Sequence, residues 1–198
     1  MNLKIIKKDK NAVLILAAGY KAYDNSFISY EPFLNIGNTL IIERIKKNCT
    51  PKNKIYIAIN DFSPKLQILR SFDYCNFINV GPTLGVIDTI RKSIDYIHED
   101  FINILPITTV PDNQFINKKS IYFGDNKISK ENWSAISYSN KRIIQYLFKE
   151  NEIDFKKKSY PFTGRISSEI NNIKDALQDI NDNQMNDLLY LAKILIEE

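Results

Sequence analysis

The chain has 198 residues, of which 44% are hydrophobic and 25% charged, and this balance is typical of one globular domain spanning residues 1–198. No apolar run approaches the ~20 residues of a membrane-spanning helix, and the basic start of the chain continues too briefly for a signal peptide. The net charge of +4, one histidine and two separated cysteines favour neither nucleic-acid binding nor a zinc site, and they indicate a reducing, cytoplasmic location.

The first hundred residues alternate strand and helix patterns. Strands are predicted for residues 11–16, 54–60, 76–80 and 101–105, where short apolar runs stand between turn residues. Helices are predicted for residues 39–47, 63–72 and 84–96, where apolar residues recur at helical spacing. Because strands that alternate with such helices pair in parallel through right-handed crossovers, this half is expected to form a parallel sheet.

After Pro111 the alternation becomes less regular. Strands are predicted for residues 120–123 and 133–139, and residues 142–149 resemble a helix or a strand that turns into one. Helices are predicted for residues 167–179 and 185–196, and the second of these is amphipathic, which suits either the core or a homodimer contact. The sequence therefore predicts a three-layer α/β fold with a mostly parallel mixed sheet.

The stretch Ala-Val-Leu-Ile-Leu-Ala-Ala-Gly at residues 12–19 is the most informative motif. Its five leading apolar residues are typical of a strand that is buried on both faces. The strand then ends in Ala17, Ala18 and Gly19, and such small residues let a backbone turn lie close to a flat ligand. In open α/β sheets, nucleotides bind at this place, the carboxyl end of a strand.

Three later stretches extend the pattern. Residues 31–45 contain a Gly37-Asn38 turn before a helix that Thr39 is expected to cap. Residues 81–85, Gly-Pro-Thr-Leu-Gly, stand between a short strand and a helix N-terminus, a position that suits a phosphate or a base edge. With Phe-Thr-Gly at residues 162–164, these motifs resemble those of the sugar nucleotidyltransferases, in the same order and over residues 10–170.

This resemblance implies a nucleotide-diphospho-sugar transferase-like (GT-A, Rossmann-like) fold, with a nucleoside triphosphate and a phosphorylated small molecule as substrates and Mg²⁺ as cofactor. In that family the first motif and the second glycine loop contact the nucleobase. The residues thereby assigned to nucleotide binding are Leu16, Ala17, Ala18, Gly19, Gly81, Thr83 and Gly85. The strand that holds Gly164 borders the sugar in the family, and Arg165 after it is a candidate phosphate contact.

The residues expected to handle phosphates and metal depart from the family pattern. Tyr23 and Phe33 stand where the family has an arginine and a lysine, and a ring cannot contact a triphosphate as a cation does. Lys21 is the remaining candidate for that contact, or else an exposed loop residue. Thr108 stands where the family has its Mg²⁺-binding aspartate, and a hydroxyl alone is a poor ligand for a hard dication. Asp112 is a candidate replacement, or an exposed turn carboxylate.

Three further side chains have two interpretations each. Asp175 is a second candidate metal ligand or part of a solvated helix face. Trp133 is suited to stacking on a sugar or base, or to core packing. His98 is expected at the C-terminal end of a helix, where a basic side chain interacts favourably with the helix dipole.

Three functions follow from these observations. The first is a nucleotidyltransferase that activates a phosphorylated sugar or polyol with CTP or UTP in surface-polysaccharide synthesis. The second is a related domain that has lost catalysis and binds a ligand or a partner subunit, as the changes at Tyr23, Phe33 and Thr108 suggest. The third, a glycosyltransferase, requires an Asp-x-Asp metal motif that the sequence does not contain. No nucleic-acid or membrane partner is expected in any of them.

Overall fold

A computed structural model of the protein describes residues 11–18, 35–36, 38–50, 53–60, 73–111, 114–115, 118–124, 134–139, 142–148 and 159–197. The strands in these ranges are β1 (Asn11–Leu16), β2 (Asn35–Ile36), β3 (Thr39–Leu40), β4 (Asn53–Ile59), β5 (Cys75–Asn79), β6 (Phe101–Pro106), β7 (Ser120–Phe123), β8 (Ala135–Ser139), β9 (Arg142–Leu147) and β10 (Ser159–Glu169). The helices are α1 (Ile41–Lys47), α2 (Val86–Ile94), α3 (Ile170–Gln178) and α4 (Leu188–Glu197), with a 3-10 turn at Asp182–Gln184.

The main sheet has the strand order β5-β4-β1-β6-β10-β8-β9, with β7 also paired to β10. The first four strands in this order run parallel, and β1 lies between β4 and β6. The strands β10, β8 and β9 continue the sheet in antiparallel pairs. The sheet is therefore mixed, with a parallel first half, as the sequence predicted.

Alternate residues of β1 face two separate hydrophobic cores. Leu14 and its strand neighbours on one face pack among residues of α2, α3 and α4. Val13 and Ile15 on the opposite face pack among residues of α1 and β4. Because helices cover both faces of the described sheet, the three-layer α/β architecture is confirmed, and the unbroken apolar run of β1 is explained by burial on both sides.

The start of α1 differs from the prediction. Thr39 and Leu40 form a short antiparallel pair with β2, and the helix begins at Ile41. Leu40 is the cap residue, and its backbone N–H donates to a carboxylate oxygen of Glu43 over 3.3 Å. The prediction that Thr39 caps the helix is therefore wrong, because pairing with β2 takes Thr39 into a strand.

Of the two alternatives for residues 142–149, the strand is found, since Arg142–Leu147 form β9 and pair with β8. The two helix starts predicted after it need correction. The helix predicted from residue 167 begins at Ile170, because Ser167 and Ser168 belong to β10, where they pair with β6. The last helix begins at Leu188 and not at residue 185, since the preceding residues form the 3-10 turn and the cap.

The remaining predicted strands are found close to their expected bounds, and the helix predicted for residues 84–96 is α2. His98 lies beyond the end of α2 and is exposed, so it does not cap that helix. Asp175 lies on an exposed part of α3, in agreement with a solvated helix face. The helix predicted for residues 63–72 lies outside the described residues. Within the described ranges, no helix is long and apolar enough to cross a membrane.

Candidate functional site

The order of the parallel strands creates a crevice beside β1. The chain passes from β1 to β4 on one side of it and returns later to β6 on the other, so the strand order reverses between β1 and β6. In open α/β sheets, ligands bind at the carboxyl ends of strands beside such a reversal. The candidate site is therefore the crevice at the carboxyl ends of β1 and β6.

Leu16, Ala17 and Ala18 form a fixed backbone floor at this crevice, and all three residues are buried. The Ala17 N–H donates to the Ala58 carbonyl over 3.0 Å, and the Leu16 carbonyl accepts the Ile107 N–H over 3.1 Å. The side-chain amide of Asn60 donates to the Ala18 carbonyl over 2.6 Å. The motif thus ends on a backbone that three hydrogen bonds from two neighbouring segments hold in place, which suits close approach of a ligand.

The loop of residues 81–85 follows β5 on one side of the crevice. Gly81 has a φ of +60°, a left-handed conformation that favours glycine. Its N–H donates to the side-chain oxygen of Asn79 over 3.0 Å. The Lys92 ammonium of α2 donates to the Pro82 carbonyl over 2.5 Å. The loop is therefore fixed at its first two residues by side chains on both sides of it.

The far end of the same loop is held by α2. The Thr89 hydroxyl lies 3.3 Å from the Thr83 hydroxyl and 3.1 Å from the Gly85 carbonyl. The Leu84 N–H donates to the Asp88 carboxylate over 2.9 Å, while the Leu84 side chain is 69% exposed. The loop is therefore held in place by α2, and it exposes the Leu84 side chain together with backbone groups.

Asp88 places a negative charge in the first turn of α2, where Lys92 pairs with it over 3.0 Å. Partial burial acts to raise the Asp88 pKa, but hydrogen bonds from Leu84 and Lys92 outweigh this effect and hold the pKa below its ordinary value. A carboxylate that already occupies the helix N-terminus disfavours a phosphate there. Of the two ligand groups that the sequence suggested for this loop, the base edge fits better.

Gly85 is required by close packing. A β-carbon at this position would lie 2.5 Å from the Met185 carbonyl oxygen and 2.8 Å from its carbon. The same carbonyl accepts the Ile87 N–H at the start of α2 over 3.0 Å. The glycine thus lets the loop lie against the turn that precedes α4, and its assignment to nucleotide binding stays a prediction.

On the other side of the crevice, β10 bends past the end of β6 at Gly164. This residue has a φ of +78°, and the pairing register between β10 and β7 shifts between Phe162 and Ile166. A β-carbon on Gly164 would fall 2.6 Å from Cγ of Pro106. A bulge with a left-handed glycine therefore brings β10 across the carboxyl end of β6.

A cavity of about 230 Å³ lies at this crossing. The described residues that line it carry hydroxyl, carbonyl and apolar groups but no charge: Thr108, Thr109, Val110, Gly124, Pro161, Phe162 and Thr163. The Thr109 hydroxyl donates to the Thr163 carbonyl over 2.7 Å, and the Thr163 hydroxyl donates to the Tyr122 carbonyl over 2.8 Å. Such a cavity suits a small hydroxyl-bearing group better than an anion.

Arg165 lies beside this region but points into the protein. Its side chain is 3% exposed, and the guanidinium carbon lies 4.0 Å from the Tyr122 ring centroid and 4.8 Å from that of Phe115. One Nη donates weakly to the Gln114 carbonyl over 3.4 Å, and Nε has no hydrogen-bond partner among the residues that the structure describes. Burial lowers the Arg165 pKa, and Tyr122 opposes this shift. A phosphate contact would require these rings to move, and the role that the sequence suggested stays a prediction.

The described residues do not fit a metal that is held by protein carboxylates. Thr108 is exposed at the end of β6, where the family pattern would place an aspartate. Across the described ranges, no group of three His, Cys, Asp or Glu residues is arranged to hold a metal ion. Asp112 lies outside the described residues, and its role stays a prediction.

Several other predicted site residues also lie outside the described ranges. These are Gly19, Lys21, Tyr23, Phe33 and Trp133. The structure brings together Leu16, Ala17, Ala18 and Thr108 at the carboxyl ends of neighbouring strands, with Gly81, Thr83 and Gly85 on the loop after β5. Sequence reasoning missed Asp88, which lies four positions after Leu84 on a helix face and binds its N–H. An acidic residue in the first turn of a helix was the available signal.

A larger cavity, of about 700 Å³, lies at the opposite end of the strands, beside the start of β6. It is lined by residues that precede β6 and begin α3, and its charged side chains include both acids and lysines, such as Glu99, Glu169, Lys118 and Lys174. Because it lies at the amino end of β6, away from the strand reversal, topology favours the smaller cavity as the functional one.

Comparisons with known proteins agree with this topology. No protein-family model matches the chain, and no curated protein matches it. Solved structures do. A protein assigned as a glucose-1-phosphate thymidylyltransferase from Bacillus anthracis is 14% identical, with a TM-score of 0.68 over 94% of this chain and 83% of its own. The inositol-1-phosphate CTP transferase from T. maritima is 13% identical, with a TM-score of 0.65 over 95% and 81%.

A nucleoside-diphosphate-sugar pyrophosphorylase from Vibrio cholerae is 11% identical, with a TM-score of 0.63 over 94% of this chain and 87% of its own. These likenesses define the class of fold, a three-layer α/β fold with a mostly parallel mixed sheet. More particularly, the chain shares its fold with solved structures named as a thymidylyltransferase and a CTP transferase, and the motif resemblance predicted a fold of this kind. At such low identities the comparisons establish the fold only, and the activity has to be inferred from the residues of the candidate site.

Proposed function

We propose that this protein transfers a nucleotidyl group from a nucleoside triphosphate to a phosphorylated sugar or polyol. A phosphate oxygen of the acceptor would attack the α-phosphorus, the bond to the β-phosphate would break, and pyrophosphate would leave with the bonding electrons. The names of the similar structures include transferases of this kind, acting on glucose 1-phosphate and inositol 1-phosphate. A role in surface-polysaccharide synthesis in the cytoplasm belongs to this proposal.

The observation that carries the proposal is that the loop of residues 81–85 and the cavity of about 230 Å³, which suit different ligand groups, lie on opposite sides of the strand reversal. On one side is the loop of residues 81–85, which hydrogen bonds hold in place. The Asp88 carboxylate in the first turn of the following helix, α2, favours a base edge over a phosphate there. On the other side is a cavity of about 230 Å³ whose described lining residues carry no charge, which suits the hydroxyl-bearing part of an acceptor. The floor of Leu16, Ala17 and Ala18 lies between them, where the reacting phosphates would meet.

The chemistry asks the protein mainly to hold two phosphate groups in line and to balance their charge. Lys21 is the residue that the sequence offers for this purpose, acting as a point charge on the triphosphate. The loop of residues 81–85 would fix the base and the cavity would fix the acceptor. Catalysis by these residues would then rest on positioning.

The test is pyrophosphate release in the presence of MgCl₂, with ATP, CTP, GTP, UTP or dTTP against a panel of sugar and polyol phosphates. We expect release with at least one pair, and a clear loss in Lys21→Met. Lys156→Met removes a lysine from the basic run at residues 156–158 and is the matched control, expected to keep wild-type release. If no pair gives release, the catalytic proposal is wrong for that panel.

A second candidate function is a nucleotide-binding domain without turnover. The exposed Thr108 at the end of β6 favours it, since a hydroxyl stands where a carboxylate would hold the metal. This candidate predicts that a nucleotide raises the melting temperature while no pyrophosphate appears. A protein that shows neither effect would instead favour a partner-binding role.

A further inference from the structure

A buried carboxylate, Asp187, lies at the start of α4 and has no part in the reaction described so far. Its side chain is 6% exposed. One of its oxygens accepts the Leu189 N–H over 2.9 Å, which caps the helix. The other accepts the hydroxyl of Ser134, a residue 53 positions earlier in the chain. Among the described residues, Asp187 thus binds a hydroxyl and an amide and forms no ion pair.

Ser134 connects this carboxylate to the acceptor side of the candidate site. It is buried, and its carbonyl accepts the Phe162 N–H over 2.7 Å. Phe162 and its neighbour Pro161 form part of the wall of the 230 Å³ cavity. The position of this wall therefore depends on Ser134, whose hydroxyl Asp187 holds from the opposite side.

The residues just before Asp187 connect to the base-side loop. The Met185 carbonyl accepts the Ile87 N–H over 3.0 Å, and Met185 and Asn186 lie against Gly85 with no room for a β-carbon. One segment of three residues, 185–187, therefore contacts the loop of residues 81–85 directly and reaches the cavity wall on β10 through Ser134. A rigid link between two half-sites sets the distance between the groups they bind.

We propose that Asp187 and Ser134 are positioning residues that set the acceptor-side wall relative to the base-side loop. This inference rests on the proposed function and adds a specific consequence to it. Loss of the Ser134 hydroxyl should loosen the acceptor side, while the base-side loop keeps its own supports from Asp88, Thr89 and Lys92. The effect should thus fall on the acceptor and leave nucleotide binding unchanged.

The test compares Ser134→Ala with Ser167→Ala in the full chain. Ser167 is a matched control, because its buried hydroxyl also donates to a side-chain oxygen, that of Asn103, over 2.6 Å, but on a part of β10 that does not line the cavity. We expect Ser134→Ala to raise the KM for the acceptor by about tenfold and to keep the KM for the nucleotide within about twofold. Ser167→Ala should change neither KM by more than about twofold.

Ser134→Thr, which keeps the hydroxyl, should restore the acceptor KM to near the wild-type value. If Ser134→Ala does not fold, Ser134→Cys keeps the volume with a weaker donor and should change the same parameter in the same direction. An unchanged acceptor KM in Ser134→Ala, or an equal rise in both KM values, overturns the positioning role and leaves the proposed function intact. A wild-type protein that neither turns over nor binds any acceptor in calorimetry overturns both.

Discussion

Gly164 and Pro106 face each other where β10 crosses the end of β6, so closely that a β-carbon on the glycine would lie 2.6 Å from Cγ and 2.9 Å from Cδ of the proline. The glycine also has a φ of +78°, which other residues adopt at a cost. Both constraints act at the bend that forms one wall of the candidate site. The crossing is therefore a place where a single methyl group should have a large effect.

We expect Gly164→Ala to lower the free energy of unfolding by about 2–4 kcal/mol, the sum of backbone strain and overpacking. Urea denaturation measures this loss. In a double-mutant cycle with Pro106→Ala, the clash is relieved, so the double variant should lose less than the sum of the two single losses. Strict additivity of the two losses would contradict the contact as the cause.

Gly85→Ala should be at least as damaging, because two of the three atoms that its β-carbon would meet are the carbonyl oxygen and carbon of the Met185 backbone, which cannot rotate away as the third, Oδ1 of Asn186, can. We expect a loss of about 3 kcal/mol or more in urea denaturation. Leu84→Ala is the control at the neighbouring position, whose side chain is 69% exposed, and should change stability by less than about 0.5 kcal/mol. Equal losses in the two variants would mean that the packing against Met185 is not the cause.

Asp88 should make a pH-dependent contribution to stability. Its pKa in the folded protein lies below the ordinary value of 3.8, so its contribution is fully present above that value and is lost as the pH falls through the folded pKa. At pH 7 we expect Asp88→Asn to cost on the order of 1 kcal/mol. The difference between wild type and variant, measured by urea denaturation from pH 7 to pH 3, should shrink at the acidic end. A difference that grows on acidification would contradict this assignment.

Arg165 offers a test of whether a buried guanidinium is needed for stability or for a ligand. Because the described residues give it two rings and one weak hydrogen bond, Arg165→Met fills the space without a charge and should change stability by less than about 1.5 kcal/mol. Arg165→Ala leaves a cavity and should cost about 2–4 kcal/mol. Calorimetric titration with the nucleotide should give wild-type affinity for Arg165→Met. A tenfold weaker affinity would support the phosphate contact that the sequence suggested.

The two free cysteines should be unreactive in the native protein. Burial raises the pKa of each thiol, Cys49 and Cys75, from 9.0 to about 12, so very little thiolate is present near neutral pH. Labelling with an aromatic disulfide reagent at pH 8 should be at least about a hundredfold slower in native than in urea-unfolded protein. Rapid labelling of either thiol without urea would show that this part of the protein opens readily.

The parallel half of the fold could be predicted from the sequence because its strands are short apolar runs between turn residues. The strand β10 was largely missed, since Ser167, Ser168 and Glu169 are polar and are typical of a helix start. Their strand conformation depends on pairing with β6, which precedes them by about 60 residues. Ser167 is tolerated in the interior because Asn103 on β6 accepts its hydroxyl. The secondary-structure propensity of the residues around Ser167 cannot indicate that Asn103 lies opposite it.

The same division applies to the site. The glycine motifs pointed to the candidate crevice, because the left-handed backbone at Gly81 and Gly164 requires glycine, and glycine is visible in the sequence. What holds those glycines could not be predicted. The bond between Asp187 and Ser134, for example, joins residues 53 positions apart. Residues that support a site from a distance become visible only in three dimensions.

Sequence neighbours in β1 belong to different layers of the protein. Val13 meets α1 and β4, whereas Leu14 meets the helices of the opposite face, and the strand backbone separates the two. Substitutions at these adjacent positions should therefore act almost independently, while Leu14 and Ile104, which come from different strands, share one core. The motif at residues 12–19 thus combines two sets of alternating residues, one for each core. Each set can change together with its own core, provided that Ala17 and Ala18 keep their backbone position at the crevice.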